Sequence, residues 1–309
     1  MKKMIIAAGT GFLGNVLIEH FKGNYNIVVL TRGKAEIKND IHYVNWDAKT
    51  MTGWEAELEG ADVLINLAGK SVDCRYNEKN KSEIMASRVD STVILDKAVS
   101  QCANPPRHWL NSSTATIYRH SVDKQMDEET GEIGHDFSMN VAKVWEKAFF
   151  RNETPGTLKT ALRTSIVLGR NGGAFVPLKK LAQFGLGGRQ GSGRQFVSWI
   201  HEKDFTRAVE FIINNRMEGP VNVVSPTPVR NAAFMKTLRK AVGMPVGIPI
   251  GQDLLKIGAM LIGTETELVL KSRNVIPKRL TDAGFTFGYG DLGTAMGNLI
   301  NNNSRNFLR

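Results

Sequence analysis

Only two cysteines, Cys74 and Cys102, occur in the 309 residues of the chain. That excludes a disulfide framework and leaves no cysteine spacing for a structural metal, which fits a reducing, cytoplasmic setting. Long apolar runs are missing too. The nearest candidate for a membrane span, LLKIGAMLIGTETELVL at 254–270, carries Lys256, Glu265 and Glu267. The opening MKKMIIAAGT is too short for the apolar part of a signal peptide and reads as a first strand. Acidic residues are the scarcer sign, 30 against 40 lysines and arginines, for a formal net charge of +10. Such a surplus suits RNA, a membrane surface or an anionic small ligand. The cations are dispersed and no aromatic-interleaved basic tract appears. The surplus therefore reads as a solvated basic surface, with neither nucleic acid nor membrane expected as a partner.

What is present alternates. KMIIAA, NIVVL, HYVNW, DVLINL, RHWLNS and KTALRTSIVL are short, apolar and often β-branched, as strands buried on both faces should be. Helical patterns lie between them. The first follows Gly11, with Phe12, Leu13, Val16, Leu17 and Phe21 on one face and Gly23 as a stop. A longer one runs from about Glu78 to Cys102, with Ile84, Val89, Val93, Leu95 and Val99 as apolar contacts. Repeated βα units imply an α/β fold, a parallel sheet wound on both sides. After Leu168 the texture changes to the glycine-rich loops GRNGGAF and GLGGRQGSGRQ. GPVNVVSP at 219–226 reads as a strand returning to the sheet, and short helices are expected from Asn231 onward. The expected division is 1–168 with 195–230 as one domain, and 169–194 with 231–309 as a smaller, mostly helical one.

The strand–turn–helix at the start holds Gly9-Thr10-Gly11-Phe12-Leu13-Gly14. In this context the spacing is a dinucleotide fingerprint: Gly9 for the tight turn, Gly11 for close approach of a pyrophosphate, Gly14 for helix–strand packing. The helix N-terminus offers N–H groups and a positive dipole end to the phosphates. Where an NAD-binding unit places a carboxylate for the ribose 2′-hydroxyl, the chain has Thr31 and Arg32, followed by Lys34. A guanidinium grips a 2′-phosphate that a carboxylate would repel, which favours NADP(H). Asp47, after the third strand, is either an acceptor for the adenine amino group or a solvated turn residue. Leu67, Ala68 and Gly69 close the fourth strand with small residues where the cofactor can lie near backbone.

These residues resemble the extended short-chain dehydrogenase/reductases: AAGTGFLG stands at that family's Thr-Gly-x-x-Gly-x-x-Gly, with Ala7 and Ala8 replacing the first Thr-Gly. NLAG and SSTATIY match in order and spacing. More narrowly the chain looks like the "epimerase family" branch with a C-terminal domain of unknown function. INLAGKSV, LRTSIVLGRNGGAF, GLGGRQGSGRQFVSWIHEKD, GPVNVVSPTPVRNAAF and VIPKRLTDAGFTF carry that likeness over nearly the whole chain. The resemblance implies a Rossmann domain, a smaller substrate domain, and a possible homodimer formed through the 78–102 and 136–151 helices.

It also implies a Ser or Thr that orients substrate and a Tyr-x-x-x-Lys pair that moves the proton. Thr114 falls on the Ser/Thr position, with Ser112 and Ser113 close by. The pair does not carry over, because HDFSMNVAKVWEKAFF (135–150) has no tyrosine. One register places Ser138 and Ala142 at the two positions, the other Met139 and Lys143. Tyr118 is a substitute acid/base, or else a packing or substrate-lining residue. GRQFVSWIHEKD has Val197 and Ser198 where nucleotide-sugar enzymes hold a diphosphate with arginine, which argues against a nucleotide sugar. Arg194 lies three residues earlier. Arg163 and Asn171 are expected to line the cleft, His201 to be a core histidine, and Asp204 to cap a helix starting at Phe205. Two readings follow: an NADP(H)-dependent oxidoreductase or epimerase acting on an unknown small substrate, or an NADP(H)-binding sensor without catalysis.

Overall fold

The computed structural model describes residues 1–255, 265 and 267–301. Strand β1 (Lys2–Ala7), helix α1 (Phe12–Phe21) and strand β2 (Tyr25–Thr31) form the opening unit. They are followed by β3 (Glu36–Lys38), β4 (Ile41–Asn45), β5 (Val63–Asn66), α2 (Glu78–Val99), β6 (His108–Thr114), α3 (Phe137–Phe149) and β7 (Leu158–Thr164). One sheet takes the order β12-β7-β6-β5-β1-β2-β4-β3, where β12 is Gly219–Val223. Every pairing in it is parallel except β3 with β4. The 219–226 segment thus returns to the sheet edge, beside β7.

Alternation along the strands explains why both faces are covered. Met4 and Ile6 of β1 face the layer holding Leu17 and Phe21 of α1 and Phe205, Val209 and Ile212 of α5 (Glu202–Asn214). Ile5 and Ala7 face the opposite layer, with Leu95 and Val99 of α2 and Phe149 of α3. A period of two along a strand between two helical layers requires apolar residues at every position, which is why these strands read as unbroken runs. In α2, Ile84, Leu95 and Val99 are buried as expected, but Val93 is 47% exposed.

KTALRTSIVL is two strands rather than one. The chain leaves the large sheet at Ser165 and continues as β8 (Ile166–Gly169), which pairs with β9 (Gly172–Gly173) and β11 (Trp199–His201). β10 (Phe196–Val197) pairs with β13 (Val229–Arg230). Within 195–230, then, α5 and β12 belong to the large sheet layer while β10 and β11 do not. A separate core joins Leu168, Phe175 of α4 (Phe175–Gln183), Trp199, Phe234 and Leu238 of α6 (Asn231–Ala241), and Met296 and Leu299 of the helix Leu292–Ile300. Helix α5 begins at Glu202, and its N-cap is His201, whose Nδ1 accepts from Lys203 N at 3.1 Å. Asp204 does not cap that helix. Its carboxylate accepts from the backbone N–H of Gly288 and Tyr289 at 2.9 and 2.7 Å, and so ties the C-terminal segment to α5.

Candidate functional site

The sheet order reverses direction at β1, between β2 on one side and β5 on the other. In open α/β sheets that switch point opens a crevice beyond the carboxyl ends of the strands. The ends of β1, β2, β5 and β6 bring together Gly9 to Gly14, Thr31 and Arg32, Leu67 to Gly69, and Ser112 to Thr114.

The turn after β1 is built differently from the spacing argument. Ala8, not Gly9, has the left-handed conformation, with φ of 57°. Gly9 is required for close approach, since a Cβ there would lie 2.9 Å from Ile6 Cγ2. Gly14 is the tightest position: its Cβ would sit 2.0 Å from the Gly9 carbonyl oxygen. At Gly11 no protein atom would lie within 4 Å of a Cβ, and its backbone is extended. Helix α1 has neither a side-chain cap nor an acidic residue in its first turn, and Thr10 and Gly11 are exposed. Those features fit a pyrophosphate, which supplies the acceptors that a cap otherwise would. The Phe12 ring points away and fills a slot made by three glycines. A Cβ at Gly169, Gly172 or Gly173 would come within 2.1, 2.3 or 3.0 Å of it.

At the end of β2, Thr31 is buried and its Oγ1 accepts from Gly33 N at 3.1 Å. Asn45 Nδ2 donates to Gly33 O at 2.9 Å, fixing the loop from the other side. Arg32 is exposed, and the hydrogen bonds and ion pairs among the described residues give its side chain no partner. Asp47 is turned inward on its own turn: Oδ1 accepts from Lys49 N and Thr50 N, both at 2.8 Å, and Oδ2 from Thr50 Oγ1 at 2.7 Å. The Thr50 amide, above all, holds this carboxyl below its usual range. The carboxylate thus closes its own turn while the residue stays exposed.

Beyond β5, Leu67 N donates to Ala7 O at 3.0 Å, and Ala68 N to Asn66 Oδ1 at 3.0 Å. Gly69 is exposed on one side and backed on the other by Arg88 of α2, whose guanidinium carbon would lie 3.1 Å from a Cβ there. Arg88 donates to Lys70 O and Ile84 O, both at 3.0 Å, and lies over the Trp145 ring at 5.1 Å. It has no carboxylate partner among the described residues, and burial lowers its pKa to about 10. No sequence motif points to this residue, because only the fold brings position 88 back to position 69.

The expected substrate-side residues scatter. Thr114 and Ser112 are partly exposed at the end of β6, and Thr114 Oγ1 accepts from Thr116 N at 3.1 Å, which leaves its hydrogen free to donate. Tyr118 is buried, and its hydroxyl donates to Asn222 Oδ1 and accepts from Arg163 Nη1, each at 2.9 Å. Arg163 does not line a cleft. It is buried and ion-paired with Glu146, which also accepts from Ser113 Oγ. Arg163 and Glu146 satisfy each other inside the layer, between a strand and a helix. Asn171 and Arg194 are exposed on the glycine-rich loops. On α3, Met139 is buried and Lys143 Nζ lies 3.4 Å from His135 Nδ1. Among the described residues no group of His, Cys, Asp and Glu could hold a metal, and no helix is long and apolar enough to cross a membrane.

This arrangement defines a Rossmann-type protein of the short-chain dehydrogenase/reductase class, with a glycine turn at the switch point. The chain belongs to the NAD dependent epimerase/dehydratase family, whose model matches residues 4–224, and a domain of unknown function, DUF1731, matches 254–299. It is 33% identical over 303 residues to an epimerase family protein of Staphylococcus haemolyticus, covering 97% of this chain and 99% of that one. An epimerase family protein of Bacillus subtilis is 32% identical over 305 residues, covering 96% and 97%. Among solved structures, a human epimerase family protein crystallised with NADPH superposes with a TM-score of 0.87 at 28% identity, over 97% of this chain and 99% of that one. The nucleoside-diphosphate sugar epimerase of Corynebacterium glutamicum gives 0.77 at 28% identity, over 97% of this chain but 58% of that one.

Proposed function

We propose that this chain is an NADP(H)-binding oxidoreductase or epimerase-like protein acting on a small substrate other than a typical nucleotide sugar. Arg32 carries the cofactor preference. It is an exposed guanidinium at the end of β2, without a partner among the described residues, where a carboxylate would mark NAD. The NADPH bound by the human relative supports the same reading. Gly11 and the first amides of α1 would hold the pyrophosphate, and Ala68 and Gly69 leave room for the cofactor beside β5. When bound, the nicotinamide accepts or supplies hydride. Thr114 then orients a substrate oxygen with the hydrogen its turn leaves free. The substrate argument rests on Val197 and on Ser198, which is buried with its Oγ donating to Arg273 O at 2.8 Å, so neither offers a diphosphate a cation.

Calorimetry with NADPH and NADH on the wild type and Arg32→Glu tests the preference. The expected result is a loss of roughly 10–100-fold for NADPH, the scale of one charge-assisted contact, and little change for NADH. Equal losses for both refute it. The sensor reading is favoured by the absence of a tyrosine from α3, where Met139 is buried. NADPH oxidation with a panel of carbonyl compounds separates the two, since a sensor binds without turnover.

A further inference from the structure

Two stretches of the chain, 171–197 and 229–252, contain eight lysines and arginines and no aspartate or glutamate. They account for most of the net charge of +10, the second stopping just short of Asp253. Because α5 and β12 separate them, they form no basic tract in the sequence, and the fold brings them together. The segment after α4 runs beside the segment after α6: Ile248 N donates to Gly185 O, Ile250 N to Arg189 O and Gly191 N to Ile250 O, each at 2.9 Å. Arg239, in the last turn of α6, fixes the pair by donating through Nη1 to Gly187 O at 2.7 Å.

The joined segments expose bulky apolar side chains. Phe184 is 79% exposed, Val246 58%, Ile248 53% and Leu186 38%. The core does not need them, because the inner faces of α4 and α6 are already packed through Phe175, Ala182, Phe234, Met235 and Leu238. Cations stand beside them. Lys180 is four residues before Phe184, whose amide donates to the Lys180 carbonyl at 3.2 Å, so the two share a face at the end of α4. Lys236 precedes Arg239 by one turn of α6. Both lysines are exposed, and neither side chain has a partner among the described residues. An exposed apolar cluster with a polar rim marks an interaction surface.

We propose that this face docks on an anionic lipid surface. Phe184, Leu186, Val246 and Ile248 enter the boundary between headgroups and acyl chains, and Lys180 and Lys236 meet lipid phosphates. Charge complementarity selects the occupant, since the two stretches present cations to an acidic headgroup layer and no carboxylate of their own to repel it. A nucleic acid would use the cations but leave the aliphatic side chains in water. The contact is peripheral, because among the described residues no helix is long and apolar enough to cross a membrane. It does not depend on the cofactor reading.

The test mixes the full chain with vesicles of phosphatidylcholine alone, or of phosphatidylcholine with phosphatidylglycerol, and separates bound protein by flotation. Wild type is expected to float with the mixed vesicles and not with the neutral ones, and to be released as salt rises. Phe184→Ser should weaken partitioning by roughly tenfold, the scale of one apolar side chain returned to water. Lys180→Gln and Lys236→Gln should each weaken it by about fivefold, the scale of one lysine near an anionic leaflet. All three positions are exposed, so melting temperatures should match wild type. The proposal is refuted if wild type stays in solution with the mixed vesicles or floats equally with the neutral ones. It is refuted too if Phe184→Ser floats as wild type does, or if neither lysine variant weakens flotation. Self-association that rises with protein concentration, is lost in Phe184→Ser and is not accompanied by flotation would assign the face to a second copy of the chain and overturn the lipid assignment.

Discussion

Arg163 grips Glu146 with a two-pronged contact, Nε to Oε1 at 2.9 Å and Nη2 to Oε2 at 2.7 Å, joining β7 to α3 inside the sheet layer. Its third nitrogen reaches Tyr118, whose ring also lies under the guanidinium at 5.2 Å. Burial lowers the arginine pKa, but the Glu146 carboxylate overcomes it and holds the residue charged. Removing one partner leaves the other charge buried and unpaired, so Arg163→Ala should cost about 3–5 kcal/mol. Urea unfolding measures it; a change near zero would mean that the pair is not formed.

Tyr118→Phe separates packing from catalysis. It removes a hydroxyl that has two partners, so a loss of about 1–2 kcal/mol in stability is expected, with cofactor affinity unchanged. Loss of turnover without loss of stability would restore Tyr118 as an acid/base group.

The glycines of the first turn should divide by mechanism. Gly14→Ala drives a methyl into the Gly9 carbonyl and is expected to abolish soluble, folded protein. Gly11→Ala meets nothing, so its melting temperature should match wild type while dinucleotide affinity drops. Ala8→Gly relieves a left-handed alanine and should stabilise by up to about 1 kcal/mol. Thermal melts with parallel NADPH titrations distinguish the three.

Two histidines set the acid limit. Burial lowers His108 and His201 to about 4 from the ordinary 6.5. Both are neutral when folded, and the unfolded chain takes up their protons first. Their contribution is therefore complete above pH 6.5 and falls as pH drops toward about 4, by on the order of 3 kcal/mol each. Stability measured between those limits should decline with acid, and His108→Gln, which can still reach Thr160, should flatten part of the slope.

Much of the fold was legible because it depends on local repetition. Unbroken apolar runs marked the doubly covered strands, and the glycine spacing located the β1–α1 turn. The role of each glycine was less legible, since backbone conformation passed to Ala8, a position the spacing rule ignores. The break at Ser165 was hidden because β-branched residues continue on both sides of it. Arg163 was misplaced for a related reason: a charge within an apolar strand looks like a ligand residue until its partner on another element is known.

Phe12 leaves the phosphate-facing turn and wedges its ring among Gly169, Gly172 and Gly173, which close the β8–β9 hairpin of the second, smaller sheet. The first residue of α1 is therefore a mechanical coupling between the two halves of the molecule. A dinucleotide that stiffens the turn must also stiffen the hairpin that carries α4. Amide exchange at Gly172 and Gly173 should consequently slow on NADPH binding, and Phe12→Ala should disconnect that response while leaving the turn itself in place.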